Sequence, residues 1–166
     1  MLTSSIKGAQ VRNLVLFLFF AVLVPGCGNP GELGIQERET ISREVRTMLH
    51  NYFDDIRSGG LMAEFKYLDE SEDFFWVPPG YASALTLDSV RTILQLNSEM
   101  SQSFDFIWEE LRVVPLEAGT AAYTGIVAGT ITDSTGAESR TRIIETGVVI
   151  KRADGWKILC GQSRSL

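Results

Sequence analysis

The chain has 166 residues and a formal net charge of −6, a balance that excludes binding to nucleic acid or anionic lipid through the overall field. A single histidine excludes a multi-histidine metal site. Two cysteines allow at most one disulfide.

At the N-terminus Lys7 and Arg12 precede an unbroken apolar run, Leu14 to Val24, with no acidic residue before it. That order predicts a signal peptide. The run is about half the roughly 20 residues that cross a hydrocarbon core, and Pro25 ends any helix just past it. Val24-Pro25-Gly26-Cys27 resembles the lipobox of bacterial lipoprotein signals, with Pro25 standing where a small or hydroxyl residue is usual. The resemblance implies removal of residues 1–26, lipidation of Cys27 as the new N-terminus, and a lipoprotein held in the cell envelope. Gly28 rather than Asp after the cysteine points to the outer membrane where a cell has one. The alternative, an ordinary secreted protein, lacks a convincing A-x-A site nearby. Cleavage removes two positive charges and no negative ones, so the charge moves from −6 to −8. With Cys27 acylated, Cys160 stands alone, and stability must come from packing rather than from a disulfide.

Residues 27–36, Gly-rich and aperiodic, form the lipidated cysteine and a flexible tether, leaving 37–166 as the domain. From Thr40 to Arg57 the apolar residues Ile41, Val45, Met48, Leu49, Tyr52, Phe53 and Ile56 make one helical face, which Gly59-Gly60 ends. Leu61 to Leu68 predicts a short second helix with Phe65 and Leu68 inward, followed by a solvated acidic turn, Asp69 to Asp73. That turn lacks the glycine and spaced glutamate of a calcium loop. Phe74 to Val77 is a short aromatic strand stopped by Pro78-Pro79-Gly80. Thr86 caps a third helix carrying Leu87, Val90, Ile93, Leu94 and Met100.

Beyond Ser103 the period changes to two. Phe104 to Arg112, Ala121 to Ile131, Arg140 to Lys151 and Trp156 onward read as strands, joined by the Asp133-Ser134-Thr135-Gly136 turn and an Asp154-Gly155 hairpin. The outline is an α+β domain, with helices against one face of a long antiparallel meander.

Three stretches then resemble the nuclear transport factor 2-like superfamily, in particular its SnoaL-like branch. They are the opening helix with Tyr52-Phe53 before Gly59-Gly60, the segment Asp73 to Gly80, and Lys151 to Leu159 with Ser163 soon after. The resemblance implies a cone-shaped, strongly curved antiparallel sheet wrapped round N-terminal helices, with an internal pocket. Relatives include isomerases, cyclases, dehydratases and epoxide hydrolases, and also members that only bind or assemble, so it implies a fold rather than an activity. Many members place a histidine shortly before the final serine, where this chain has Gly161-Gln162-Ser163.

Placing Asp154-Gly155 at the hairpin tip pairs Ala153 with Trp156, Val149 with Cys160 and Glu145 with Arg164. Alternation then sets Glu145 and Gln162 together toward the pocket mouth, where a half-buried carboxylate can serve as a general base. The plainer alternative is a surface carboxylate paired with Arg142 or Arg164. Trp108, Glu110 and Arg112 share an alternation, Tyr123 follows in the next strand, and Trp76 sits in the aromatic strand. Glu110, Tyr123, Trp108 and Trp76 are the further pocket candidates. His50 reads as a helix-edge residue beside Asp54, and Cys160 as an inert core thiol.

These residues support a lipoprotein that binds a small apolar ligand or serves as a homodimeric scaffold. The alternatives are an isomerase, cyclase or dehydratase using a pocket carboxylate, and an acidic adaptor for a basic partner. No metal, cofactor or nucleic acid is expected.

Overall fold

The apolar stripe from Ile41 to Ile56 builds one helix, α1 (Ile35–Gly59), in the computed structural model, which describes residues 32–166. The signal peptide, the lipobox with Cys27 and most of the tether lie outside the described residues. All seven apolar residues of the stripe are buried, because helical spacing turns them toward the sheet together. Gly60 ends the helix at φ +79°, returning its N–H to the Ile56 carbonyl over 2.8 Å in a conformation that side chains with a Cβ resist. A short 3-10 helix (Leu61–Tyr67) and β1 (Phe75–Val77) follow. The Thr86 hydroxyl accepts the Ser89 N–H over 3.4 Å and caps α2 (Leu87–Met100).

Four long strands complete the chain: β2 (Ser101–Glu117), β3 (Thr120–Asp133), β4 (Glu138–Arg152) and β5 (Gly155–Ser165). The sheet order is β1-β5-β4-β3-β2, and β2 to β5 form the expected antiparallel meander. β1 departs from it by lying parallel to β5, so the sheet is mixed. The turn after β3 is built as its residues suggest. Asp133 Oδ1 accepts the N–H groups of Thr135 and Ala137 over 2.8 and 3.0 Å, and Gly136 takes φ +86°.

The last hairpin corrects the expected register. Arg152 pairs with Gly155, so Ala153-Asp154 is the loop, while Gly155 at φ +124° already belongs to the ladder. Val149 therefore faces Ile158. One residue later Val148 faces Cys160, which leaves Leu159 as a β-bulge. The extra residue reverses the alternation. Trp156 and Ile158 point to the core before it, whereas Gly161 and Ser163, not Cys160 and Gln162, share Glu145's face beyond it. A second bulge at Glu109 does the same on β2: Trp108 faces the helices, then Leu111 and Val113 do, and Glu110 and Arg112 are turned outward.

The acidic turn is also corrected at its first residue. Asp69 is 3% exposed and receives two hydrogen bonds from the Arg152 guanidinium, at 2.6 and 3.1 Å. Its own N–H bonds the Ile158 carbonyl over 2.9 Å, so the turn is pinned to the β4–β5 hairpin. Within the core α1 lies against the concave side of the sheet, where Val113, Ala121, Tyr123, Val127, Val149 and Ile158 receive it.

Candidate functional site

Where α1, the 3-10 helix and α2 meet the concave face of the sheet, a cavity of about 360 Å³ remains unfilled. Glycines on that face help to keep it open. The lining rings of Trp76 and Phe106 lie over Gly161 and Gly129, and in the adjoining core Tyr123 lies over Gly147 and Trp108 over Gly125. Rings that rest on bare backbone lie close to the sheet instead of filling the space above it. A Cβ at Gly147 would stand 2.7 Å from the Tyr123 ring and 2.8 Å from the Cys160 carbonyl.

Most of the wall is apolar, with Phe53 and Ile56 from α1, Val90 from α2, Trp76 from β1, and Phe104 and Phe106 from β2. The polar exceptions are Tyr52, Glu64, Asn97, Ser101, Glu145 and Ser163. This is the usual composition of a small-molecule site.

Glu145 projects from the middle of β4 between Gly125 of β3 and Ser163 of β5. It is 5% exposed, and its Oε1 accepts the Tyr123 hydroxyl over 2.8 Å. Burial disfavours the charged form and pushes its pKa from 4.5 up to about 7, against the opposing effect of the Tyr123 hydrogen bond. Neither expected arginine partner reaches it: Arg142 pairs with Glu109 at 2.6 Å, and Arg164 is exposed opposite Ile144.

Glu64, which sequence reasoning missed, lines the same cavity from the 3-10 helix. Burial is again the first cause, and with the charge of Glu145 it drives the Glu64 carboxyl up to about 8 against the opposing pull of the Tyr52 hydroxyl. Tyr52 and Tyr123 are held far above the ordinary tyrosine value, first by burial and then by the neighbouring carboxylates, so both hydroxyls remain protonated donors. Near neutral pH the cavity therefore holds one carboxyl close to half ionisation and another that is mainly protonated. The two carboxyls therefore titrate near neutrality as a coupled pair, each raised first by burial.

The six expected site residues fall into three groups. Glu145 and Trp76 line the cavity, and Tyr123 stands behind Glu145 and positions it. Trp108 is core: its ring packs against Phe53 at 5.1 Å, and its Nε1 donates to the Leu49 carbonyl over 3.0 Å. Glu110 and Gln162 are exposed on the outer face, because the Glu109 and Leu159 bulges turn them away. His50 is exposed on the outer side of α1, and its expected neighbour Asp54 instead pairs with Arg57 at 2.7 Å. Burial raises the Cys160 thiol, the opposite of what a thiolate nucleophile requires.

A signal for Glu64 was present in the chain. A 3-10 helix repeats every three residues, so Leu61, Glu64 and Tyr67 fall on one line, and the first and last of these are buried. Read with the α-helical period, the same segment turns Phe65 and Leu68 inward, as they are, and does not single out Glu64.

No family model matches the sequence, and no curated protein matches it. Solved structures do match. A candidate dehydratase of the nuclear transport factor 2-like family from Streptomyces avermitilis superposes with TM-score 0.65 at 16% identity, covering 77% of this chain and 97% of that one. A nuclear transport factor 2-like superfamily protein from Salmonella enterica serovar Typhimurium gives 0.63 at 12% identity, covering 76% and 92%. A ketosteroid isomerase-like protein from Erwinia carotovora atroseptica gives 0.61 at 20% identity, covering 75% and 95%. The shared feature is the fold, an α+β cone of the nuclear transport factor 2-like type.

Proposed function

We propose that this chain is a lipid-anchored envelope protein whose conical domain holds a small, largely apolar molecule. The observation that carries the reading is the unfilled cavity of about 360 Å³, apolar over most of its wall and furnished with Glu64, Glu145 and Ser163. A pocket kept only by inheritance is under no constraint against filling with its own side chains, and here rings lie on glycines instead. Export and anchoring rest on the residues around Cys27. Native mass spectrometry of the exported protein tests the pocket. A bound mass is expected on the parent and is weakened or lost when Ile143→Trp and Val90→Trp together project two indoles into the cavity; full retention of that mass by the double variant would refute the reading.

A second reading is favoured by the carboxyl pair itself. Glu145 acts as a proton acceptor oriented by Tyr123, and Glu64 as the donor across the cavity, in an isomerase-, cyclase- or dehydratase-type reaction. The dehydratase and isomerase-like names among the structural neighbours agree with this class. Under it Glu145→Gln lowers turnover by roughly 10²- to 10⁴-fold while the fold is retained, and unchanged turnover removes Glu145 from the mechanism. The outer sheet face, which exposes Ile107 and Ile144, is the surface through which a homodimer would form. Sedimentation of an Ile107→Lys, Ile144→Lys variant as a monomer, against a dimeric parent, is the expected result.

A further inference from the structure

We infer that the molecule held in this cavity is a cation, an apolar amine whose ammonium group seats between Glu145, Glu64 and Ser163. The inference rests on the pocket reading above and names the ligand class that reading leaves open.

The charges of the wall carry the argument. Two carboxyls line the cavity, and no Lys, Arg or His is among its lining residues. An anionic headgroup would meet Glu145 with nothing to offset the repulsion. A neutral alcohol can bridge Glu145 and Ser163 but offsets none of the negative charge. Ser163 is 8% exposed and lines the cavity, and among the described residues its hydroxyl has no hydrogen-bond partner. Glu145 has one oxygen on Tyr123, and no hydrogen bond reaches the other from the described residues. An ammonium, with three donors and no acceptor, matches a hydroxyl oxygen and a free carboxylate oxygen facing one space. The remaining wall suits the rest of such a molecule, since Phe53, Phe104, Phe106 and Trp76 present rings that cover alkyl or aryl surface and attract a cation. A cavity of about 360 Å³ has room for roughly a dozen non-hydrogen atoms at about 30 Å³ each.

Protonation gives the inference a distinguishing readout. Glu145 faces Tyr123 from β3, Glu64 from the 3-10 helix and Tyr52 from α1. β2 brings Phe104 and Phe106, β1 brings Trp76, and α2 and β5 bring Asn97 and Ser163, none of which titrates. The tyrosines stay neutral, so the carboxyls alone set the charge near neutrality. An alkylamine, with a pKa of about 10, stays charged while Glu145 ionises beneath it. Its affinity therefore rises as pH increases from 6 to 8, and binding releases protons from the carboxyl pair.

The test uses 4-phenylbutylamine, 4-phenyl-1-butanol and 5-phenylvalerate, which share one phenylbutyl body and differ in charge. Each is titrated calorimetrically into the full exported protein in detergent, with protein-free micelles as the blank. At pH 7.5 the amine is expected to bind at least about tenfold more tightly than the alcohol, and the carboxylate more weakly than both. The amine's affinity is expected to rise roughly tenfold between pH 6 and pH 8, while the alcohol's changes little. Glu145→Gln with Glu64→Gln removes both the preference and the pH dependence. Equal or tighter binding of the alcohol overturns the cation assignment and leaves the pocket reading standing, as does an amine preference that persists in the double variant. Failure of all three to bind overturns the pocket reading and this inference with it.

Discussion

Replacing Glu145 with Gln removes a charge that the fold itself resists. The amide keeps an oxygen for the Tyr123 hydroxyl, which lies 2.8 Å from Oε1, and it matches the carboxyl in size. Burial holds Glu145 at about 7 instead of 4.5. A carboxyl raised in the folded state contributes its full stability only below 4.5, and that contribution is lost as the pH climbs through about 7. Above that point the folded chain carries a buried carboxylate that the unfolded chain would hydrate. At about 1.4 kcal/mol for each tenfold change in proton affinity, the loss is roughly 3 kcal/mol. Glu145→Gln should therefore lie within about 1 kcal/mol of the parent at pH 4.5 and be more stable by roughly 3 kcal/mol at pH 8. It should also lower Glu64, whose value depends partly on the charge of Glu145. Urea unfolding followed by tryptophan fluorescence at several pH values between these limits measures the difference. A gap between parent and variant that does not change with pH refutes the reasoning.

Asp69 gives the opposite sign: Arg152 beside it holds its carboxyl down to about 2 from 3.8, so its contribution is present above 3.8 and is lost as the pH falls toward 2. Asp69→Asn is expected to cost about 2 kcal/mol at pH 7 and nothing near pH 2, read from urea midpoints on the acid limb. Gly147→Ala sets a Cβ against the Tyr123 ring and the Cys160 carbonyl, and it should cost about 2 kcal/mol or more in the same assay. Cys160 should react slowly with thiol reagents at pH 8 in the folded protein and at the ordinary rate in urea, because burial raises the thiol. Cys27→Ala should move the protein from the membrane fraction to the soluble fraction and abolish incorporation of labelled fatty acid. Membrane retention of that variant would remove Cys27 as the anchor.

Local periodicity and local chemistry determined much of this protein. The α1 stripe needs nothing but the 3.6-residue repeat to announce which residues are buried, and all seven are. The Thr86 cap, the Gly60 terminus and the Asp133 turn likewise depend on neighbours a few residues away, and each forms where its residue types stand. The cone shape was legible only by resemblance, through short motifs in the right order.

Tertiary structure decided which way the strands point. A strand reports its two faces by strict alternation, and one inserted residue inverts every assignment beyond it. Leu159 and Glu109 are such residues, and they carry Gln162 and Glu110 to the outer face while Ser163 takes the place beside Glu145. The parallel docking of β1 on β5 joins segments far apart in the chain, so no local signal contains it. The ionisation of the carboxyls belongs to the same class. Glu64 and Glu145 are ordinary glutamates in sequence, and their carboxyls are raised only where separate elements bring them to one cavity and take them from bulk water.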